Sequence, residues 1–369
     1  MQSDTISRII SAMTLNFLPT VIRSVESTFI VNIFRDNSQI SSQLIAGCRN
    51  MNDERKLVGL EERLAESTDL EEILAVFSQI KTNLGFSDQP GTFNEVFSKV
   101  EENLSSRIPH RFSELGRLIK QRSTNKEYGD NKAASGLRVL IIGGGPCGLR
   151  LAIETQLLGA RTTVIESRQS LDRNNVVKLW TFVMEDLRSL GAKKLYPQFG
   201  NGSVDHVSIR MLQVILLKMV LILGAAVRAG ETFQTLLPPS EGRGWVAVTE
   251  VRGSETVRQE EYDVIVSATG RKVPVRGFPR KSLDGKMSIA ITANFVNSNT
   301  SAERKVQEIP GLSKQYDLQF FKQMENLSGI RLENIVYYRD LTHYFVMTVK
   351  KDSLVKKGVI KVWRCLLFC

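Results

Sequence analysis

The chain has 369 residues, 42% of them hydrophobic, and carries a formal net charge of +10. That length leaves room for two domains and a substantial buried core, and no long low-complexity tract interrupts it, which excludes a fibrous or wholly disordered chain. The excess positive charge is spread thinly, without the basic stripe and interleaved aromatics of a nucleic-acid binder, so no nucleic-acid partner is expected.

Residues 1–66 mix polar and apolar positions without declaring a fold, and they lack the charged, apolar and small-residue order of a leader peptide. From Thr68 the chain reads as helices. Thr68 and Glu71 stand in capping-box spacing, followed by Leu70, Ile73, Leu74, Phe77 and Ile80 at helical intervals. Pro90-Gly91 marks a turn, and a second box, Thr92 with Glu95, opens a helix with Phe93, Val96, Phe97, Val100 and Leu104 on one face. Phe112, Leu115, Leu118 and Ile119 predict a third helix, and the polar stretch 121–136 reads as a linker.

Residues 139–142, Val-Leu-Ile-Ile, read as a buried parallel strand that runs onto Gly143, Gly145 and Gly148 in G-x-G-x-x-G spacing. Gly143 allows the turn out of the strand, Gly145 lets the backbone approach a diphosphate, and Gly148 lets the next helix pack closely. That helix, 147–158, turns its N-terminal N–H groups and partial positive charge toward phosphate. It stops at Gly159, ahead of a second strand, 162–165, that ends on Glu166. A carboxylate about twenty residues past the glycines suits ribose hydroxyls and disfavours a 2′-phosphate, which points to FAD or NAD rather than NADP as the nucleotide held there.

Further along, the apolar run 212–223 is broken by Lys218 and is too short to span a bilayer, so it predicts a buried helix and no membrane partner. Residues 245–251 and 262–266 read as strands, the latter running into Ser267-Ala268-Thr269-Gly270, small residues that let the chain pass close to a nucleotide. Arg271 and Lys272 follow as a solvent-exposed cationic pair. The three histidines, His110, His206 and His343, and the four cysteines, Cys48, Cys147, Cys365 and Cys369, fall in no ligand or disulfide spacing, so no metal site is expected and a cytoplasmic location is.

Several longer stretches closely resemble one family. They are Ser167-Arg168, Arg173-Asn174-Asn175-Val176, Leu179-Trp180, residues 187–194, Asp205-His206-Val207-Ser208-Ile209-Arg210-Met211-Leu212-Gln213, and residues 334–340 with 342–348. The family is that of the MICAL flavin monooxygenases, and the similarity runs over residues 70–360. It implies an α/β fold, with a Rossmann-like FAD/NAD(P)-binding domain of the p-hydroxybenzoate hydroxylase type behind a helical preface, and an incomplete second sheet. It implies FAD as cofactor, NADPH as co-substrate, and oxidation of methionines of filamentous actin beside the cytoskeleton. The cofactor contacts it implies are Gly143, Gly145, Cys147, Gly148, Glu166, Ser167, Arg168, Arg173, Asn174, Asn175 and Tyr344; no catalytic side chain is assigned.

The expected organisation is an unassigned extension over 1–66, the helical preface and linker over 67–136, a truncated monooxygenase domain over 137–360 and a tail over 361–369 outside the resemblance. Two other readings stay open at this point. One is an inactive FAD- or actin-binding fragment, and the other an NAD-linked dehydrogenase, the weaker because no proton-relay residues follow the βαβ unit.

Overall fold

The computed structural model describes residues 60, 63–64, 67–87, 89–105, 109–190, 206–240, 243–270, 275, 289–309, 318–339 and 342–360. Most of the 1–66 extension, the Arg271-Lys272 pair, the 361–369 tail, and Cys48, Cys365 and Cys369 lie outside them. The chain divides into two compact units, the first holding residues up to Arg173, 177–197 and 205–278, the second holding 174–176, 198–204 and 279–369.

The first unit begins with α1 (Leu70–Asn83), α2 (Phe93–Ser105) and α3 (Pro109–Ser123). The cap of α1 is not Thr68 with Glu71: it lies one residue on, where the Asp69 side chain accepts the Glu72 N–H at 3.1 Å and Ser67 Oγ donates to Glu72 Oε2 at 2.7 Å. Aspartate is the stronger cap. It starts α1 in a register that buries Leu70, Ile73, Val76, Phe77 and Ile80. The second box forms as its spacing predicts, with Thr92 N donating to Glu95 Oε2 at 2.9 Å and Glu95 N to Thr92 Oγ1 at 3.4 Å. The Pro90-Gly91 turn is tied to the core, since Gly91 N donates to Gly224 O at 2.9 Å and Gln156 Nε2 to Gly91 O at 3.2 Å.

The stretch after α3 is more than a linker. A short 3₁₀ turn, Lys126–Tyr128, buries Tyr128. Its hydroxyl donates to Glu154 Oε2 at 2.7 Å, which makes this segment part of the core.

The central sheet contains β1 (Arg138–Ile142), β2 (Arg161–Glu166), β3 (Ala226–Ala229) and β7 (Val264–Ser267), all parallel, in the order β3-β2-β1-β7. Between β1 and β2 runs α4 (Pro146–Leu157), stopped by Gly159 at φ +90°, where a Cβ would fall 1.9 Å from Asn131 O. Against α4 packs α6 (Ile209–Ile222), opened by Ser208 and buried throughout 211–222, including Gln213 and Lys218. Burial on both faces explains why β1 reads as a continuous apolar run without alternation.

The predicted strand over 262–266 proves to be two. β6 (Val257–Tyr262) belongs to an antiparallel meander with β4 (Glu231–Leu237) and β5 (Trp245–Val251), and β7 returns to the parallel sheet. Asp263 marks the switch, its N–H donating to Arg138 O at 3.0 Å while its carboxylate accepts the Arg138 N–H at 2.7 Å. An apolar pattern alone cannot show that neighbouring residues pair with different sheets.

The second unit is an antiparallel sheet ordered β8-β10-β9, from β8 (Ile289–Val296), β9 (Leu332–Arg339) and β10 (Thr342–Val349). One face gathers Tyr338 and Tyr344 with Val176. On the other, Tyr337 Oη lies 2.7 Å from His343 Nδ1, and His343 Nε2 lies 3.3 Å from Glu303 Oε1.

Candidate nucleotide site

The glycine loop turns directly out of β1. Gly143 N–H donates to Ile165 O at 2.8 Å, which extends the strand pairing by one residue, and Gly143 then adopts φ +111°, where a side chain would be strained. Gly148 is the tightest of the three, because a Cβ there would fall 2.0 Å from Gly143 O and 3.2 Å from Ala268 Cβ. Ala268 in turn donates its N–H to Ile142 O at 2.8 Å. The small residue after β7 therefore closes the loop from the far side.

Gly145 is different in kind. Nothing lies within 4 Å of where its Cβ would be. It is also the N-cap of α4, with no side-chain cap bond, and Pro146 follows at the first helical position. An uncapped helix start facing open space leaves N–H groups and the positive end of the helix dipole available to an anion. This arrangement fits a dinucleotide diphosphate.

Glu166 ends β2 beside the loop, and its four acceptor positions are all engaged. Oε2 accepts from Gly144 N and from Arg168 Nη2, and Oε1 from Arg168 N and Arg168 Nε, each at 3.0 Å. Burial opposes the charge on Glu166, but the Arg168 bonds outweigh it and hold the carboxyl below its ordinary range. A carboxylate has about four lone-pair sites, so a ribose hydroxyl here would compete with the Arg168 fork. Ser167 Oγ lies 3.4 Å from Glu166 Oε1.

Cys147 is exposed at the start of α4, yet burial around its sulfur raises the thiol above its ordinary range. It serves there as a small neutral residue rather than a thiolate. Arg173 has an exposed side chain and accepts the Arg210 N–H on its carbonyl at 2.8 Å.

The structure thus brings together Gly143, Gly145, Cys147, Gly148, Glu166, Ser167 and Arg168. In the second unit it brings together Asn175 and Tyr344, where Asn175 Nδ2 donates to Tyr344 Oη at 3.4 Å. Asn174 Oδ1, beside them in sequence, is buried without a hydrogen-bond partner among the described residues.

Two sets of residues were not anticipated. Gln213 of α6 donates from Nε2 to Gly144 O at 2.9 Å. The available signal was a polar residue inside a mostly apolar helix.

The other set is a buried charge network behind α4, reaching α3 and α5 (Thr181–Ser189). Arg150 spans Glu154 and Asp186, with Nε 2.8 Å from Asp186 Oδ2, and Arg122 Nη2 donates to Glu154 Oε1 at 2.7 Å. Burial opposes the charge on Glu154 and Asp186, and Arg150 with Arg122 more than offsets it, leaving both carboxyls below their ordinary range.

A family model described as "Mical, Rossman domain" matches residues 287–364, which lie in the second unit rather than at the glycine loop. Over much more of the chain, the [F-actin]-monooxygenase mical2b of Danio rerio is 53% identical across 251 residues, 66% of this chain and 15% of that protein. The human [F-actin]-monooxygenase MICAL3 is 43% identical across 304 residues, 81% of this chain and 15% of its own length.

The chain belongs to the MICAL family.

A further MICAL relative, the protein-methionine sulfoxide oxidase mical3b of Danio rerio, is 44% identical over 306 residues, 81% of this chain and 18% of that protein. The chain therefore spans less than a fifth of the length of these curated relatives. Among the described residues there is no cluster of metal-ligating side chains and no helix long and apolar enough to cross a membrane.

Proposed function

We propose that this chain is the flavin-binding catalytic portion of an F-actin monooxygenase, which takes reducing equivalents from NADPH and oxidises methionine side chains of filamentous actin. The observation that carries this reading is the uncapped start of α4 behind Gly145, in a chain whose MICAL relatives bear the names F-actin monooxygenase and methionine sulfoxide oxidase. FAD, when bound, would accept hydride and pass one atom of dioxygen to a thioether sulfur.

The chain's own residues would do the holding. The α4 N-terminus and the Gly145 backbone meet the diphosphate, Gly143 and Gly148 give it room, and Glu166 accepts the ribose hydroxyls in competition with Arg168. On this reading the chain works in the cytoplasm, beside actin filaments.

The test begins with the absorbance spectrum of the purified chain. NADPH consumption with and without filamentous actin follows, with Gly145→Asp as control because a carboxylate at that open position repels the diphosphate. Bound flavin and actin-stimulated turnover, both lost in the variant, support the reading. A colourless chain that cannot be loaded with FAD overturns it.

A further inference from the structure

We infer that Gln213 is a positioning residue for the cofactor: by holding the Gly144 carbonyl it sets the plane of the Gly144–Gly145 peptide and thereby aims the Gly145 N–H at the diphosphate. The inference rests on the flavin reading above.

Gly144 is gripped on both sides. Its N–H donates to Glu166 Oε2 at 3.0 Å and its carbonyl accepts from Gln213 Nε2 at 2.9 Å. A trans peptide is planar, so its N–H points opposite to its carbonyl. Drawing the Gly144 oxygen toward α6 turns the Gly145 N–H the other way. On the Gly145 side nothing lies within 4 Å of the Cβ position, so the backbone there is open to a ligand.

The state of Gln213 itself supports the same conclusion. It is 1% exposed, in a helix buried along 211–222. Its Oε1 is buried without a hydrogen-bond partner among the described residues. Reversing the amide would set two oxygens against each other at the Gly144 carbonyl, so the donor orientation is the one compatible with the loop. An apolar residue of similar length would remove the unpaired Oε1 but would leave the buried Gly144 carbonyl without this donor. What Gln213 supplies to the loop is its donor.

The test compares wild type, Gln213→Met and Gln213→Glu in the full chain stripped of flavin. FAD dissociation constants come from flavin fluorescence, and melting temperatures of the flavin-free protein from circular dichroism. Gln213→Met, which keeps length and loses the donor, is expected to bind FAD about tenfold more weakly while its flavin-free melting temperature stays close to wild type.

Gln213→Glu is expected to bind weakly at neutral pH and to recover as pH falls, because a protonated carboxyl supplies an O–H donor to Gly144 O. Glu166, which accepts from Gly144 N, and its partner Arg168, the charged groups beside the loop, are common to all three proteins, so the wild-type pH profile serves as reference.

Wild-type affinity in Gln213→Met, or a Gln213→Glu profile parallel to wild type, overturns the inference and leaves the flavin reading intact. If Gln213→Met fails to fold, the Gln213→Glu profile decides alone. A wild-type chain without affinity for FAD overturns both.

Discussion

The three glycines of one motif answer to different constraints, and substitution separates them. Gly148→Ala drives a methyl into Gly143 O, so the loop and α4 must part, and such overpacking costs about 1–3 kcal/mol. A thermal melt of the flavin-free chain should show that loss. Gly145→Ala meets nothing within 4 Å and should melt like wild type, its cost appearing only in FAD affinity. Lys218 offers a second residue-scale test. It is 1% exposed, and burial lowers its ammonium to about 8, against an ordinary 10.5, with the charge of Glu72 opposing the shift. The folded chain gives up this proton more readily than the unfolded one, so stability rises as pH climbs from about 8 toward 10.5 and the penalty is complete below that window. Denaturant unfolding across the window should show that rise, on the order of 3 kcal/mol from the linkage, and Lys218→Met should remove it.

At the scale of elements, the charge network places two arginines and two carboxylates where α3, α4 and α5 meet behind the nucleotide loop. Arg150→Met leaves Glu154 and Asp186 short of their principal counter-charge, and breaking a buried pair in this way costs about 3–5 kcal/mol, which chemical denaturation would measure. Both carboxyls sit below their ordinary range in the folded chain, so their contribution is present at neutral pH and drains away as pH falls through those lowered values. Gln213 aside, the βαβ unit was legible in the sequence because every residue that defines it, from Val139 to Glu166, is local in the chain. The Thr92 cap was legible for the same reason. The α1 cap was misplaced by one residue because Thr68 and Asp69 are adjacent candidates, and the aspartate, the stronger cap, takes the position. The divided strand at Asp263 was beyond reach, since Tyr262 ends β6, which pairs with the nearby β5, while β7 pairs with β1, far back in the chain. The network of Arg122, Arg150, Glu154 and Asp186 was hidden because charged residues on helices read as solvated faces until the third helix covers them.

For the whole molecule, a net charge of +10 carries a kinetic consequence if the partner is an acidic filament. Raising ionic strength from about 0.01 M to 0.15 M shortens the Debye length from about 30 Å to about 8 Å. The actin concentration giving half-maximal NADPH consumption should rise over that range while flavin content stays constant, and a titration at several salt concentrations would show it. The position of β7 bears on how the chain is made. β1 is complete by Ile142, yet the strand that lies along its other edge ends at Ser267, and the residue that closes the glycine loop is Ala268. A ribosome adding about 5–20 residues per second needs several seconds to cover that interval. Throughout it the growing polypeptide carries a very apolar strand with one side unpaired, a template for wrong pairing with other nascent chains. The nucleotide loop is thus closed only once Ala268 has been made, and until then the open edge of β1 is exposed to wrong pairing.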